Sequence, residues 1–482
     1  VCGAGARCLA LGAFVVGVVL APNAAGEAAP APRWSQDVRL TFAAAPSRTS
    51  YNFARSIAAD VAGRVFVVWF RPDHGISQVF LKRSVDGGTT WGADTPLSRS
   101  TQGAAYPAIA AAGPDIYVAW HDFRHGQPDI FLRHSLDYGA TWGPEQLLAA
   151  GQADGAYPSI AASGRRVRIV YEGARDGQTE VYTRGSDDQG MTWSPETRLS
   201  SPPYAAWTAT VELAGPNAYA GWVDYRDANE EEYFRRSTDG GTTWGPILRL
   251  THNPADSWAP SLAAAGDDLF YFWFDRRDAG VTDTTVEDTL DRATALVGLP
   301  VHPAPPRSAA VYYLPPFEQR LREKLQAIQA AAPAWVGRGG NAQRLEALLR
   351  RFERQFQQWT LGWDIYYKHS GDGGVTWGPD IRLTRGRGFS MRPSAVISGA
   401  AIYVVWFDSR DGQTDVYFKY SASAGKHWGP DQRLTTAAGN PLGDTMHPSL
   451  AVAGRSLYVV WYDQRFGHAE IFFKRAVLPA NG

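Results

Sequence analysis

The chain has 482 residues, with 47 Lys plus Arg against 48 Asp plus Glu and a net charge of -1; that length exceeds one ordinary core. The balance excludes the basic excess that nucleic acid or an anionic membrane selects, and 44% hydrophobic residues exclude disorder for the bulk of the chain. The 2 cysteines, Cys2 and Cys8, exclude a disulfide scaffold or a cysteine-ligated zinc site beyond the N-terminus.

The first residues read as an export signal. Arg7 supplies a positive start, Leu9 to Ala21 is a 13-residue apolar run, and Ala24-Ala25-Gly26 offers a cleavage site before Glu27. Residues 1–26 are therefore expected to be a signal peptide. The mature chain would have no cysteine and no membrane span, and would be secreted or periplasmic.

From Trp34 onward one pattern governs the chain. Ser84-Val-Asp86-Gly-Gly88-Thr-Thr90-Trp91 returns at Ser135, Ser186, Ser237 and Ser370, with a degenerate copy from Ser421 to Trp428 that has Ser423 in place of the Asp. The starts at 84, 135, 186 and 237 are 51 residues apart, as are 370 and 421; the gap from 237 to 370 is 133, one repeat plus 82 residues. Each unit reads as four short strands of β-branched and aromatic residues, cut by Gly, Asp and Pro. Such a repeated four-stranded unit is the pattern of a β-propeller blade.

The opening strand occurs seven times, near Arg55, Tyr106, Tyr157, Trp207, Pro260, Pro393 and Pro448, against six turn motifs. The seventh unit stops after its third strand. Its missing fourth strand is Trp34-Ser-Gln-Asp-Val-Arg-Leu-Thr41, which matches Trp428-Gly-Pro-Asp-Gln-Arg-Leu-Thr435. The expected fold is all-β, a seven-bladed propeller over residues 34–477 closed by the N-terminal strand, with six blades as the fallback.

The Ser-x-Asp-x-Gly-x-Thr-Trp turns resemble the Asp-box, or bacterial neuraminidase repeat, of sialidases and related secreted propellers. The resemblance covers roughly 34 to 477 apart from the insertion. It implies that the box is a structural turn between third and fourth strands, and assigns that role to Asp86, Asp137, Asp188, Asp239 and Asp372. It also implies that any catalytic face lies opposite the boxes. There a sialidase grips a carboxylate with three arginines and uses a Tyr nucleophile, activated by a Glu, with an Asp as acid/base. This chain departs from that pattern. The Phe/Tyr-Arg-Ile-Pro signature is absent, Asn52-Phe-Ala-Arg55-Ser-Ile57 being the nearest stretch, and sialidases have six blades. No catalytic set is identified; Glu172 and Glu230 to Glu232 read as available carboxylates or solvated turns.

On the face away from the boxes the second-to-third turns carry a recurrent Asp-x-Arg, giving the candidate ligand-binding residues Arg124, Arg226, Arg277, Arg410 and Arg465. Either they form a crown that holds a carboxylate, or each pairs locally with its Asp. The fourth-to-first loops add Tyr106, Tyr157, Trp207, Trp258, Arg392 and His447, placed for sugar stacking or for packing between blades. The 10 histidines show no metal-ligand spacing, so neither metal nor cofactor is implied.

Residues 281–361 interrupt blade 5 on this same face. Val301 to Pro306 reads as extended; Phe317, Leu321, Leu325 and Ile328, then Leu345, Leu348, Phe352, Phe356 and Trp359, fall at helical spacing around a turn expected at Pro333 to Gly340. The expectation is a helical hairpin over the channel mouth. The functional expectation is a module binding a glycan or cell-surface protein, with an exo-acting sialidase-type hydrolase as the alternative. Oligomeric state is not readable from the sequence.

Overall fold

The computed structural model describes residues 32–50, 54–151, 157–175, 177–227, 229–281, 283–301, 316–435 and 445–479; the expected signal peptide lies outside them. Seven antiparallel sheets stand around a central channel, which decides between seven blades and six. Blade 2 is representative: Ala104–Ala112 lines the channel and pairs with Asp115–Asp122, then Asp129–Ser135, then Gln146–Ala149 outside. The core lies between blades, as when Phe66 and Val68 of blade 1 cluster with Ile109 and Trp120 of blade 2. In six blades the second strand buries a Trp at 0% exposure; blade 3 has Tyr171 there.

Serines of the opening motif pin neighbouring blades together. Ser261 Oγ accepts from the Ala395 amide at 3.1 Å, Ser394 Oγ from Leu450 at 3.1 Å, and Ser449 Oγ from Ser56 at 3.0 Å. The last of these crosses the seam between blades 7 and 1. The N-terminal strand seals that seam from outside, with Trp34 opposite Ala476 and Val38 opposite Phe473. Thr41 repeats the work of Thr435. Thr435 Oγ1 accepts from the Val416 amide at 2.9 Å and donates to Asp415 at 2.8 Å. Thr41 Oγ1 accepts from the Ile471 amide at 2.9 Å and donates to Glu470.

The repeated turns are self-contained hydrogen-bond units. Ser84 Oγ donates to Asp86 at 2.8 Å and accepts from the Gly88 amide at 2.8 Å; Asp86 accepts the Thr90 hydroxyl at 2.6 Å. Gly88 has φ of +80°, and a Cβ there would lie 2.4 Å from Phe473 of blade 7. In the degenerate copy Ser423 Oγ takes over the acceptor role, holding the His427 amide at 2.9 Å. The Thr hydroxyl, the Thr amide and the Ser hydroxyl pull the Asp86, Asp137 and Asp372 carboxyls down to about 2. A depressed carboxylate stabilises the fold above its unfolded pKa and loses that contribution as pH falls through the folded value. The triple variant D86N/D137N/D372N is thus expected to melt below wild type at pH 7. Thermal melts from pH 5 to 2 should show the gap closing; a gap that widens on acidification would contradict the assignment.

Between Asp275 and Asp364 the chain forms three helices: α1 (Asp283–Leu296), α2 (Pro316–Gly337) and α3 (Ala342–Leu361). The helical spacing in the sequence predicts two helices here and none at α1, whose Asp- and Thr-rich stretch has weak intrinsic propensity but buries Val286, Leu290 and Ala293 on one face. The expected turn at Pro333 to Gly340 is also corrected. α2 runs through Pro333, because Ala331, Ala332 and Trp335 pack on the helical core and hold the backbone there. The extended stretch expected from Val301 to Pro306 falls outside the described residues except for Val301. No helix among the described residues is long and apolar enough to cross a membrane.

Candidate ligand-binding mouth on the box-free face

The Asp-x-Arg arginines are clasped within their own blades. Arg124 Nε donates to Asp122 at 3.0 Å while Nη1 reaches Glu145 on the fourth strand. Arg277 is held the same way by Asp275 and Asp380, Arg410 by Asp408 and Asp431, and Arg465 by Asp463 and Asp37. Arg226 pairs with Asp224. Each guanidinium also lies over a third-strand ring, from 4.2 Å for Arg124 on Phe131 to 4.6 Å for Arg410 on Tyr417. All five therefore staple second and third strands together, four of them reach the fourth strand as well, and their donors are largely spoken for. Repetition of the motif in most blades follows from that shared duty.

The first strands behave differently at the entrance to the channel. In five blades the pairing register slips there, between Ala105 and Ala108, Trp207 and Thr210, Trp258 and Ser261, Met391 and Ser394, and Met446 and Ser449. At each bulge one non-glycine residue has positive φ: Tyr106 at 52°, Thr208 at 51°, Ala259 at 71°, Arg392 at 57° and His447 at 53°. Such dihedrals cost about 1–3 kcal/mol each and persist where the surroundings impose them; bulges re-aim side chains. The side chains gathered are unlike from blade to blade. Tyr106 meets Tyr157 at 4.9 Å and His121 at 4.6 Å, and Trp207 meets Trp258 at 6.2 Å. Arg392 Nη1 donates to His447 Nδ1 at 3.0 Å, and His447 stacks on Tyr462 at 5.4 Å.

Burial disfavours the charged form of both rim histidines. Burial pulls His121 down to about 3 against the nearby Asp122, and burial together with Arg392 holds His447 well below the usual imidazole value. His121 Nδ1 is buried with no hydrogen-bond partner among the described residues.

Two charged residues inside the channel were not singled out as a site by the sequence analysis. Arg55 of blade 1 stands where other blades have Pro107, Pro260, Pro393 and Pro448. Glu212 of blade 4 stands where Ala58, Ala110, Ala161, Ala263 and Ala451 line the wall. They meet across a cavity of about 170 Å³, with Arg55 Nη2 at 2.7 Å and Nη1 at 3.5 Å from Glu212. Burial pushes the Glu212 carboxyl up, and Arg55 opposes this. Arg55 is 34% exposed and gives its donors to one carboxylate among the described residues, where Arg124 has two. The available signal was the break in the repeat, visible once the blades are aligned.

Glu172 and Glu230 to Glu232 are not solvated turns. They are 0%, 6%, 0% and 0% exposed; Glu172 accepts the Thr208 amide at 2.7 Å and Glu232 accepts the Tyr271 hydroxyl at 2.8 Å. Their burial escaped the sequence because charged residues rarely fill interior positions. A tyrosine, carboxylate and arginine meet at Tyr171, Glu196 and Arg175. Tyr171 is fully buried at a tryptophan position inside blade 3, away from the channel wall. Among the described residues no group of three His, Cys, Asp or Glu is placed to hold a metal ion.

No protein-family model and no curated protein matches the sequence. Similar solved structures include an ulvan lyase, at TM-score 0.51 and 10% identity over 87% of this chain and 94% of that one. A polysaccharide lyase aligns at TM-score 0.50 and 9% identity over 88% and 90%. Trypanosoma rangeli sialidase aligns at 0.42 and 11% over 92% and 59%. At these identities the two lyase likenesses bear on the fold alone.

Proposed function

We propose that this chain is a secreted propeller that binds an acidic glycan, a uronate or a sulfated sugar, at the box-free mouth. The observation that carries the reading is Arg55, a part-exposed guanidinium with donors to spare inside an otherwise apolar channel, below that mouth. A carboxylate or sulfate would complete its coordination by charge-assisted hydrogen bonds. At the rim above it, Tyr106, Tyr157 and Trp258 offer ring faces for sugar stacking, and Arg392 with His447 adds a polar wall. The strained bulges hold this uneven rim in place before ligand arrives. The repeated turns are Asp-boxes on this reading, and residues 1–26 are the export signal. Polysaccharide-acting enzymes among the structural neighbours agree with a sugar ligand.

Calorimetric titration with oligouronates, sulfated oligosaccharides and neutral oligosaccharides of matched length tests this. Binding of an acidic series, weakening as salt rises, is expected; equal affinity for the neutral series would overturn the acidic assignment. Turnover of a fluorogenic sialoside in the same preparation would replace it with the hydrolase.

A further inference from the structure

The middle residue of the Asp-x-Arg turn is Phe123, Tyr225, Ser409 or Gln464 in other blades, each at least partly exposed. In blade 5 it is Arg276, 2% exposed. Its guanidinium lies between two indoles, 4.4 Å from Trp359 near the end of α3 and 4.6 Å from Trp363 at the return into blade 5. A cation is held well there, because both ring faces are negative and water is excluded. The same guanidinium donates to Asp256 at 2.8 Å. Asp256 Oδ1 in turn accepts the Glu230 amide at 3.3 Å, and the Ser257 amide donates to the Glu230 carbonyl at 2.8 Å. One residue further on is Trp258, at the bulge, beside Trp207 of the neighbouring blade.

We infer that Arg276 is a positioning residue, through which docking of the helical insertion sets the Trp258 wall of the sugar mouth. The chain of contacts is continuous: α3 indole, guanidinium, Asp256 carboxylate, blade 4 backbone, Trp258. The other blades have no inserted helices at this turn, so their middle residue needs no charge. The insertion thus acts on affinity through its link to the blade 5 rim. This inference rests on the mouth being a sugar site, but its first arm does not need a ligand.

That arm is hydrogen exchange on the full chain. Trp359→Leu, which keeps an apolar group in the helical core and removes the ring face, should speed exchange at the Glu230 and Ser257 amides by about tenfold while the helices stay protected. If the helices lose protection, Arg276→Lys takes its place, since it leaves α3 intact and removes the planar stack. The second arm is titration with the acidic oligosaccharide series, where either variant should weaken binding roughly tenfold, within the usual range for coupled sites. Unchanged exchange at Glu230 and Ser257 in both variants would overturn the inference. So would a change in Arg276→Met with none in Trp359→Leu and Arg276→Lys, because Arg276 would then be a local staple. Absence of acidic-glycan binding in the wild type would sink the functional reading and leave the exchange arm to decide the coupling.

Discussion

A chain lacking residues 32–41 is expected to aggregate or to melt far below the intact protein. The strand it loses completes blade 7: Leu40 is 1% exposed and Trp34 packs edge-on against Phe418 at 5.0 Å. Asp37 ties Arg465 and Lys474, both at 2.9 Å. Glu470, 0% exposed, would lose Thr41 and Arg39 together. Stripping partners from a buried carboxylate costs about 3–5 kcal/mol, and the lost apolar burial adds about 1.5–3 kcal/mol per large side chain. Those terms rival the roughly 5–15 kcal/mol that holds a whole domain together. The exposed edge of blade 7 would also invite pairing with another molecule. Thr41→Val, which removes one hydroxyl, should cost about 1–3 kcal/mol in a chemical melt. Unchanged melting and solubility in the truncated chain would show that blades 7 and 1 close without it.

Glu232→Gln should make the protein more stable at neutral pH, and the gain should shrink on acidification. Glu232 is fully buried between blades 4 and 5; burial pushes its carboxyl well above the ordinary value against the pull of the Tyr271 hydroxyl. Nearby Glu231 and Asp275 push the same way. The folded chain therefore keeps a proton that the unfolded chain releases above its carboxylate pKa. Stability from such a raised group is fully present below the unfolded value and falls by about 1.4 kcal/mol per pH unit up to the folded one. Gln stays neutral throughout and still accepts from Tyr271. Denaturant melts at pH 4.5 should nearly coincide, with the variant pulling ahead from pH 5 to 8. A pH-independent difference, or a loss that grows with pH, would mean Glu232 is ionised in the fold.

The blades were legible because a propeller writes its architecture as a period. The seven copies of the opening strand, against six turns, marked the blade count, and the match of Trp34–Thr41 to Trp428–Thr435 marked the closure that the Thr41 and Thr435 contacts complete. Helices within the insertion were only half legible. α3 carries a clean stripe of Leu345, Phe352 and Trp359, whereas α1 is polar in composition and helical by virtue of what it packs on. The site was harder for a physical reason: a repeat reports what blades share, and binding depends on where they differ. Asp-x-Arg drew attention by recurring, yet recurrence marks the staple that every blade needs. Arg55, Glu212 and Arg276 are single departures, at positions where neighbouring blades keep proline, alanine or a part-exposed side chain.

The central claim is that Arg55 recognises the acidic group of a glycan inside the channel. Removing Arg55 alone would leave Glu212 buried without its partner, so the paired variant R55M/E212L separates binding from stability. Titration of this variant and of wild type with the same oligouronate, at one salt concentration and with matched melting curves, decides it. The account predicts that the variant folds and loses at least about 1.5–3 kcal/mol of binding, about tenfold or more in affinity, the value of a hydrogen bond to a charged group. A folded variant that binds the oligouronate as tightly as wild type would contradict it.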